Sequence, residues 1–262
     1  MIFRQLFDSV SSTYSYVLAS RRGGEALVVD PVLEKVDRYL KLMEELDLRL
    51  VKAVETHLHA DHITGLGALR DRTRCVTVMG EQSKVDVVSM RIAEGDRLTV
   101  EGVSLDVLYT PGHTDDSYSF VLGDRVFTGD TLFAAGCGRL FEGTPEMMYE
   151  SLCKVIGALP RATRVYFGHE YTENNLRFAA MMEPENAAIR ARLARVHAIR
   201  QAGGGTTPST LEDEWATNPF MRSDSPAILA KVKALDPAND LSPAAVLGAV
   251  RKLKDTTVIG SK

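Results

Sequence analysis

VKAVETHLHADHITG, residues 51–65, is a short β-rich run that breaks into a cluster of histidines and an aspartate. Its centre, THLHADH (56–62), places His57, His59, Asp61 and His62 within six residues. A chain leaving a strand through a tight loop can aim alternate side chains at one point. Imidazole nitrogen and carboxylate oxygen are the ligands that zinc or ferrous iron prefers. Four such groups in one segment exceed what a single ion takes from it, so the spacing points to two ions.

Three later positions repeat the theme. His113 sits in TPGH, Asp130 in FTGD and His169 in YFGH, each after a strand-like run and each directly after a glycine. Glycine lets the backbone bring a ligand close to a metal. Five of the six histidines fall in these positions. A lone His-x-His often marks only a wet strand edge, but the full His-x-His-x-Asp-His set with three further strand-end ligands is specific. Buried unpaired charge is costly, and a cation accounts for the cluster most simply. His197, near Leu193 and Val196 on a helical pattern, is expected to be an ordinary helix histidine.

The remainder of the chain gives these residues a scaffold. The 262 residues are 45% hydrophobic and 25% charged with mean hydropathy −0.08, values of a globular protein with a substantial core. Lys and Arg total 31 against 35 Asp and Glu, which argues against a nucleic-acid or anionic-membrane binder. Cys75, Cys137 and Cys153 are scattered and odd in number, as in a reducing cytosol. The first residues, MIFRQLFDSVSSTYSY, lack an apolar core and a cleavage pattern, so a cytoplasmic location is expected. No stretch approaches eighteen apolar residues, and no membrane span is expected. Nothing points to an obligatory protein partner.

Strand patterns at 12–20, 25–31, 51–57 and 75–80 and hairpins at 97–113 and 117–130 dominate the first part, with an amphipathic helix over 34–48 and another opening at Gly65. Residues 145–159 have helical spacing and 163–169 form a strand. After residue 170 the spacing turns helical in NNLRFAAMM, NAAIRARLARVHAIRQ and SPAAVLGAVRKL. The expected organisation is a β-rich α/β metal-binding domain over 1–170 and a helical substrate-binding extension over 171–262. The closing TTVIGSK (256–262) fits no period and is expected to fray.

HLHADH with downstream His113, Asp130 and His169 resembles the metallo-β-lactamase superfamily, which implies an αββα sandwich with a metal site at one edge. The resemblance implies one site on His57, His59 and His113, a second on Asp61, His62 and His169, and Asp130 shared between two divalent ions, with zinc first and iron or manganese as alternatives. From Thr131 onward, TLFAAGCGRLFEGTPEMMYESL, RVYFGHEYTENNLRFA, EPENAAIRARL, PSTLEDEWATNPFMR and AVRKLKD resemble hydroxyacylglutathione hydrolase, or glyoxalase II. FRQLFDSVSSTYSYVLA, DPVLEKVDRYL and THLHADHITGLGALR are similar to the glutathione persulfide dioxygenases. The chain therefore looks composite, with a change of likeness near Gly129–Leu132.

Both resemblances imply a glutathione-linked sulfur substrate. The hydrolase likeness implies attack of a metal-generated hydroxide, oriented by Asp61, on the thioester of S-D-lactoylglutathione, as in methylglyoxal detoxification. It also implies glutathione contacts at Arg139, Tyr171, Arg251 and Lys254, with Phe141 standing where the family often has a tyrosine. Arg251 and Lys254 lie three apart and can share a helix face; without the resemblance they would be a solvated face. The dioxygenase likeness implies a single ferrous ion on His57, His113 and Asp130. Cys137 is expected to pack rather than react.

Overall fold

The computed structural model describes residues 1–86 and 88–258. Its first sheet runs in the order β1 (Ile2–Asp8), β2 (Thr13–Ala19), β3 (Glu25–Val29), β4 (Arg49–Val54), β5 (Val76–Gly80) and β6 (Met90–Ile92). β1 to β3 are antiparallel neighbours, whereas β3 to β6 are parallel. β2 is buried along its whole length because both its faces are covered. Tyr14, Tyr16 and Leu18 point into the core between the sheets, and Val17 and Ala19 point to the opposite face. That outer face carries α1 (Val36–Glu45) and α2 (Leu66–Thr73), which bury Val36, Tyr39, Met43, Leu66 and Leu69 against it.

The second sheet contains β7 (Arg97–Val100), β8 (Val103–Tyr109), β9 (Tyr118–Leu122), β10 (Arg125–Gly129), β13 (Arg164–Phe167) and β14 (Ser209–Thr210). β8 shows the alternation expected of a half-covered strand: Val103, Leu105 and Val107 are buried and Ser104 and Asp106 are exposed. A short hairpin, β11 (Leu132–Phe133) and β12 (Gly136–Cys137), follows β10. The expected helix over 145–159 begins as α3 (Pro145–Tyr149) and continues as a π turn and a 3₁₀ turn.

Among the described residues, five helices follow β13: α4 (Thr172–Met182), α5 (Ala187–Gln201), α6 (Leu211–Thr217), α7 (Pro226–Leu235) and α8 (Pro243–Thr256). Leu211, Phe220, Ile228, Val246 and Val250 from this part join the core that Phe120 and Phe127 build between the sheets. Through β14 it also donates an edge strand to β13. Thr256 closes α8; residues 259–262 of the closing segment expected to fray lie outside the described residues. The architecture is the expected α/β sandwich with helices outside and a helical C-terminal part.

Candidate metal centre

Strands of both sheets end at one edge, and their exits carry the predicted ligands. The chain leaving β4 supplies His57, His59, Asp61 and His62; the exits of β8, β10 and β13 supply His113, Asp130 and His169. All seven meet. Asp130 Oδ2 lies 3.9 Å from His57 Nε2 and 3.7 Å from His113 Nε2, while its Oδ1 is 2.7 Å from His169 Nδ1. Asp61 Oδ2 lies 2.8 Å from His169 Nε2 and 2.9 Å from His62 Nδ1. Asp130 thus stands between the two halves of the cluster. The His59 ring is 4.1 Å from that of His57, yet its Nδ1 lies 4.0 Å from Asp61 Oδ1, so His59 also groups with Asp61 and His62.

The donor atoms fit a cation. His57 Nε2, His59 Nδ1 and His62 Nε2 are buried without a hydrogen-bond partner, whereas the other nitrogen of each ring is engaged. Leaving a buried polar atom unpaired costs about 1–3 kcal/mol. Three such nitrogens beside two carboxylates make the donor set of a ligand shell. His113 Nδ1 donates to the Arg139 carbonyl at 2.8 Å, which fixes its tautomer and turns Nε2 inward. Burial opposes ionisation of Asp130, but the His169, His57 and His113 imidazoles hold it well below the usual carboxylate range. Burial likewise opposes charge on His169, and Asp130 and Asp61 override it, lifting the imidazole to about 10. Without an ion, a proton on His169 balances these carboxylates, so loading an ion there displaces protons.

The glycines before the ligands are needed at close quarters. A Cβ on Gly168 would sit 2.3 Å from Asp130 Oδ1. Gly129 has φ +48°, and a Cβ there would meet Thr56 Oγ1 at 2.3 Å.

Several supporting residues are absent from the sequence reading. Glu55 and Asp30, both buried, flank His59 Nε2 at 2.9 and 3.4 Å. Thr64 donates to Glu55, and Asp30 accepts from the Thr56 backbone N–H at 2.7 Å. Thr13 Oγ1, from the start of β2, lies 3.2 Å from His169 Nε2 and 3.3 Å from Asp61 Oδ2. Such partners orient ligating rings. The available signal was an acid ending each of two neighbouring strand runs, VVD and AVE.

All five residues expected to bind substrate line one cavity of about 510 Å³ that also exposes Asp61, His113, Asp130 and His169. Tyr171 stacks on His169 at 5.2 Å. Phe141 is 57% exposed at the mouth, its ring 5.0 Å from that of His113. Arg251 is buried, donating to the Cys137 carbonyl and to Asp255, each at 2.9 Å. Lys254 donates to Asn175 Oδ1, and burial, reinforced by the Arg251 charge, pulls its ammonium down to about 7. Neither residue lies on a solvated face. Cys137 is a buried wall residue whose thiol burial pushes up. His197 is outside the site, paired with Glu173 at 2.9 Å.

The metallo-beta-lactamase superfamily description matches residues 8–85 and 80–169, and that of the hydroxyacylglutathione hydrolase C-terminus matches 170–257. Fold and ligand cluster together define a metallo-β-lactamase-type protein, a class built to hold divalent metal ions. A cytoplasmic hydroxyacylglutathione hydrolase of Arabidopsis thaliana is 40% identical over 88% of this chain and 92% of its own. A hydroxyacylglutathione hydrolase of Cereibacter sphaeroides is 40% identical over 94% and 95%. The chain belongs to the hydroxyacylglutathione hydrolase family. That likeness crosses Gly129–Leu132 and covers both halves. The crystal structure of ETHE1 from Myxococcus xanthus is also similar, with a TM-score of 0.72 and 36% identity over 97% of this chain and 98% of that one. Among the described residues, no helix is long and apolar enough to cross a membrane.

Proposed function

We propose that the chain hydrolyses S-(2-hydroxyacyl)glutathione thioesters, S-D-lactoylglutathione among them, to glutathione and a 2-hydroxy acid. The observation that carries this reading is the single cavity joining Asp61, Asp130 and His169 to Arg139, Tyr171 and Lys254. A dicarboxylate tripeptide needs cationic and phenolic partners, and they stand beside the ligand cluster. The relatives named hydroxyacylglutathione hydrolase support the substrate class.

Two divalent ions belong to the proposal: His57, His59 and His113 would hold one and Asp61, His62 and His169 the other, with Asp130 within reach of both sets. Zinc is the first choice, with iron or manganese accepted by the same donor set. When bound, such ions supply Lewis acidity and bring the pKa of water to about 7. The chain's residues supply position and charge. Asp61, about one-third exposed, turns its carboxylate to the cavity and orients the attacking water. Glu55 and Asp30 fix the His59 ring. Phe141 offers an apolar edge to the sulfur and no hydroxyl. The division into 1–170 and 171–262 is functional in this scheme: the first part carries the ligands, and the second carries Tyr171, Arg251 and Lys254. Cytoplasmic placement is supported by the name of the Arabidopsis relative.

The test is loss of thioester absorbance with S-D-lactoylglutathione on protein of measured metal content. Turnover is expected with about two ions per chain. His57→Ala and Asp61→Ala are each expected to lower kcat at least about a hundredfold, since small misplacements at a site already cost that much. A second reading, a ferrous persulfide dioxygenase, is favoured by the grouping of His57, His113 and Asp130 as two histidines and a carboxylate. One bound iron, oxygen uptake with glutathione persulfide and intact thioester would establish that reading instead.

A further inference from the structure

A second groove, of about 360 Å³, shares Ala60 and Phe141 with the main cavity but contains none of Arg139, Arg251 and Lys254. Ala60 and Phe141 line both spaces and form the waist at which they adjoin. His59 lines the far arm, and Asp61 the near one. Only the methyl group of Ala60, an exposed residue, stands at the waist on that side.

The arms differ in chemistry. The near arm gathers Arg139, Arg251 and Lys254, whereas the far arm carries Lys84. The far arm has Leu58, Ala60 and Phe141 as its apolar surface, with Leu58 48% and Phe141 57% exposed. Its charged lining is mainly acidic, with Asp115, Asp116 and Glu142 outnumbering Lys84. Isolated exposed apolar side chains are ordinary; two large ones facing one preformed groove beside a reactive centre are what ligand sites show. The walls are also anchored. The Leu58 N–H donates to Asp116 Oδ1 at 3.2 Å, and the Phe141 N–H donates to the His113 carbonyl at 3.1 Å.

A glutathione thioester has two unlike arms on either side of its reacting carbon. The peptide arm, with two carboxylates, matches the cationic cavity. The acyl arm is left with the groove, whose three acids outweigh Lys84 and disfavour a carboxylate, while its apolar side chains suit a neutral chain. We propose that this groove is an acyl subsite for neutral chains longer than lactoyl, with Ala60 and Leu58 as the residues that set the preference. The inference rests on the thioesterase reading above.

Non-hydrolysable thioethers test it directly. Binding of S-methylglutathione and S-hexylglutathione to the metal-loaded protein is measured by calorimetry, alongside turnover of S-D-lactoylglutathione. Each buried methylene is worth about 0.8 kcal/mol, roughly fourfold in affinity. S-hexylglutathione is therefore expected to bind at least about tenfold more tightly, even when the groove covers only part of the chain. Ala60→Trp fills the waist and is expected to reduce that advantage to about twofold or less, while Leu58→Ala, a gentler change, cuts it about fourfold. Equal binding of the two thioethers, with lactoyl turnover intact, overturns the acyl subsite alone. So does a hexyl advantage that both variants leave unchanged. Failure of both thioethers to bind, with no lactoyl turnover, overturns the thioesterase reading and the subsite with it.

Discussion

Asp130 carries more of the site than any other side chain, since its two oxygens face His57 and His113 on one side and His169 on the other. Its position depends on the absence of a side chain at Gly168. An added Cβ there would lie 2.3 Å from Asp130 Oδ1 and 3.1 Å from the Gly129 carbonyl carbon and oxygen. Backbone cannot yield as a flexible side chain can, so the carboxylate must move. Gly168→Ala is expected to lower kcat about a hundredfold, the usual consequence of a shift of roughly 1 Å in a catalytic group. Far-ultraviolet circular dichroism should stay native, and metal content should fall. Full turnover in a folded Gly168→Ala protein would show that Asp130 is not held in place by this contact. The ligands themselves were legible from residue types and spacing alone. Glu55 and Asp30 were not, because their role depends on β3 and β4 lying side by side so that two separate strand ends meet at His59 Nε2.

At the level of elements, α8 shows how a local signal places a charge. Ser242 caps the helix, its hydroxyl accepting from the Ala245 N–H, and Pro243 occupies the first turn, where a missing N–H costs nothing. Val246, Leu247 and Val250 seat the helix in the core. Arg251 and Lys254, three apart, then reach the same cavity, Arg251 against its wall and Lys254 beside Asn175. Because burial and Arg251 pull the Lys254 ammonium down to about 7, the side chain is charged below that pH and neutral above it. A carboxylate ligand favours the charged form, so affinity is lost as pH rises through 7. The Kd of S-methylglutathione is expected to rise about fivefold or more between pH 7 and 9, a rise that Lys254→Met abolishes while weakening binding about tenfold or more at pH 6.5. A Kd flat from pH 6 to 9 in the unmodified protein would remove Lys254 from the binding site. Periodicity revealed α1 and the β7–β8 hairpin, each with a clear apolar face, and α4, α5 and α8, while the Gly123-Asp124 turn marked the β9–β10 hairpin, whose strands are buried at successive positions. Periodicity missed α6 and α7. α6 spans only seven residues and is too short for a period to show, and PAILAKVKAL spreads apolar residues around the α7 axis. The two residues of β14 carry no strand pattern of their own and are extended because they pair with β13.

Across the whole molecule, the ligand cluster joins the two sheets. Four of its seven residues leave the first sheet through β4, and three leave the second through β8, β10 and β13. The sheets are otherwise held by apolar packing, in which Tyr16, Leu18 and Val54 on one side meet Val107, Phe120 and Phe127 on the other, and by hydrogen bonds such as that from the Tyr16 hydroxyl to the Phe167 carbonyl at 2.7 Å. That packing does not need an ion, so the metal-free chain is expected to keep its fold. Its edge is different, because Asp130, Asp61 and His169 then face one another with only protons to balance them. An ion bound to the native state adds stability by mass action, about 4 kcal/mol when free metal is a thousand times its Kd. For a chain of this size, each kcal/mol moves Tm by about 2–4 °C. Removing the metal with a chelator is therefore expected to lower Tm by roughly 10 °C, with the far-ultraviolet spectrum at 25 °C unchanged. Asp130→Ala should narrow the gap between loaded and stripped protein, since it removes the carboxylate facing both sides of the cluster. Stripped protein that melts with the loaded protein would mean that the sheet edge is fixed by packing alone and that the ions, if bound, leave the native state no more stable.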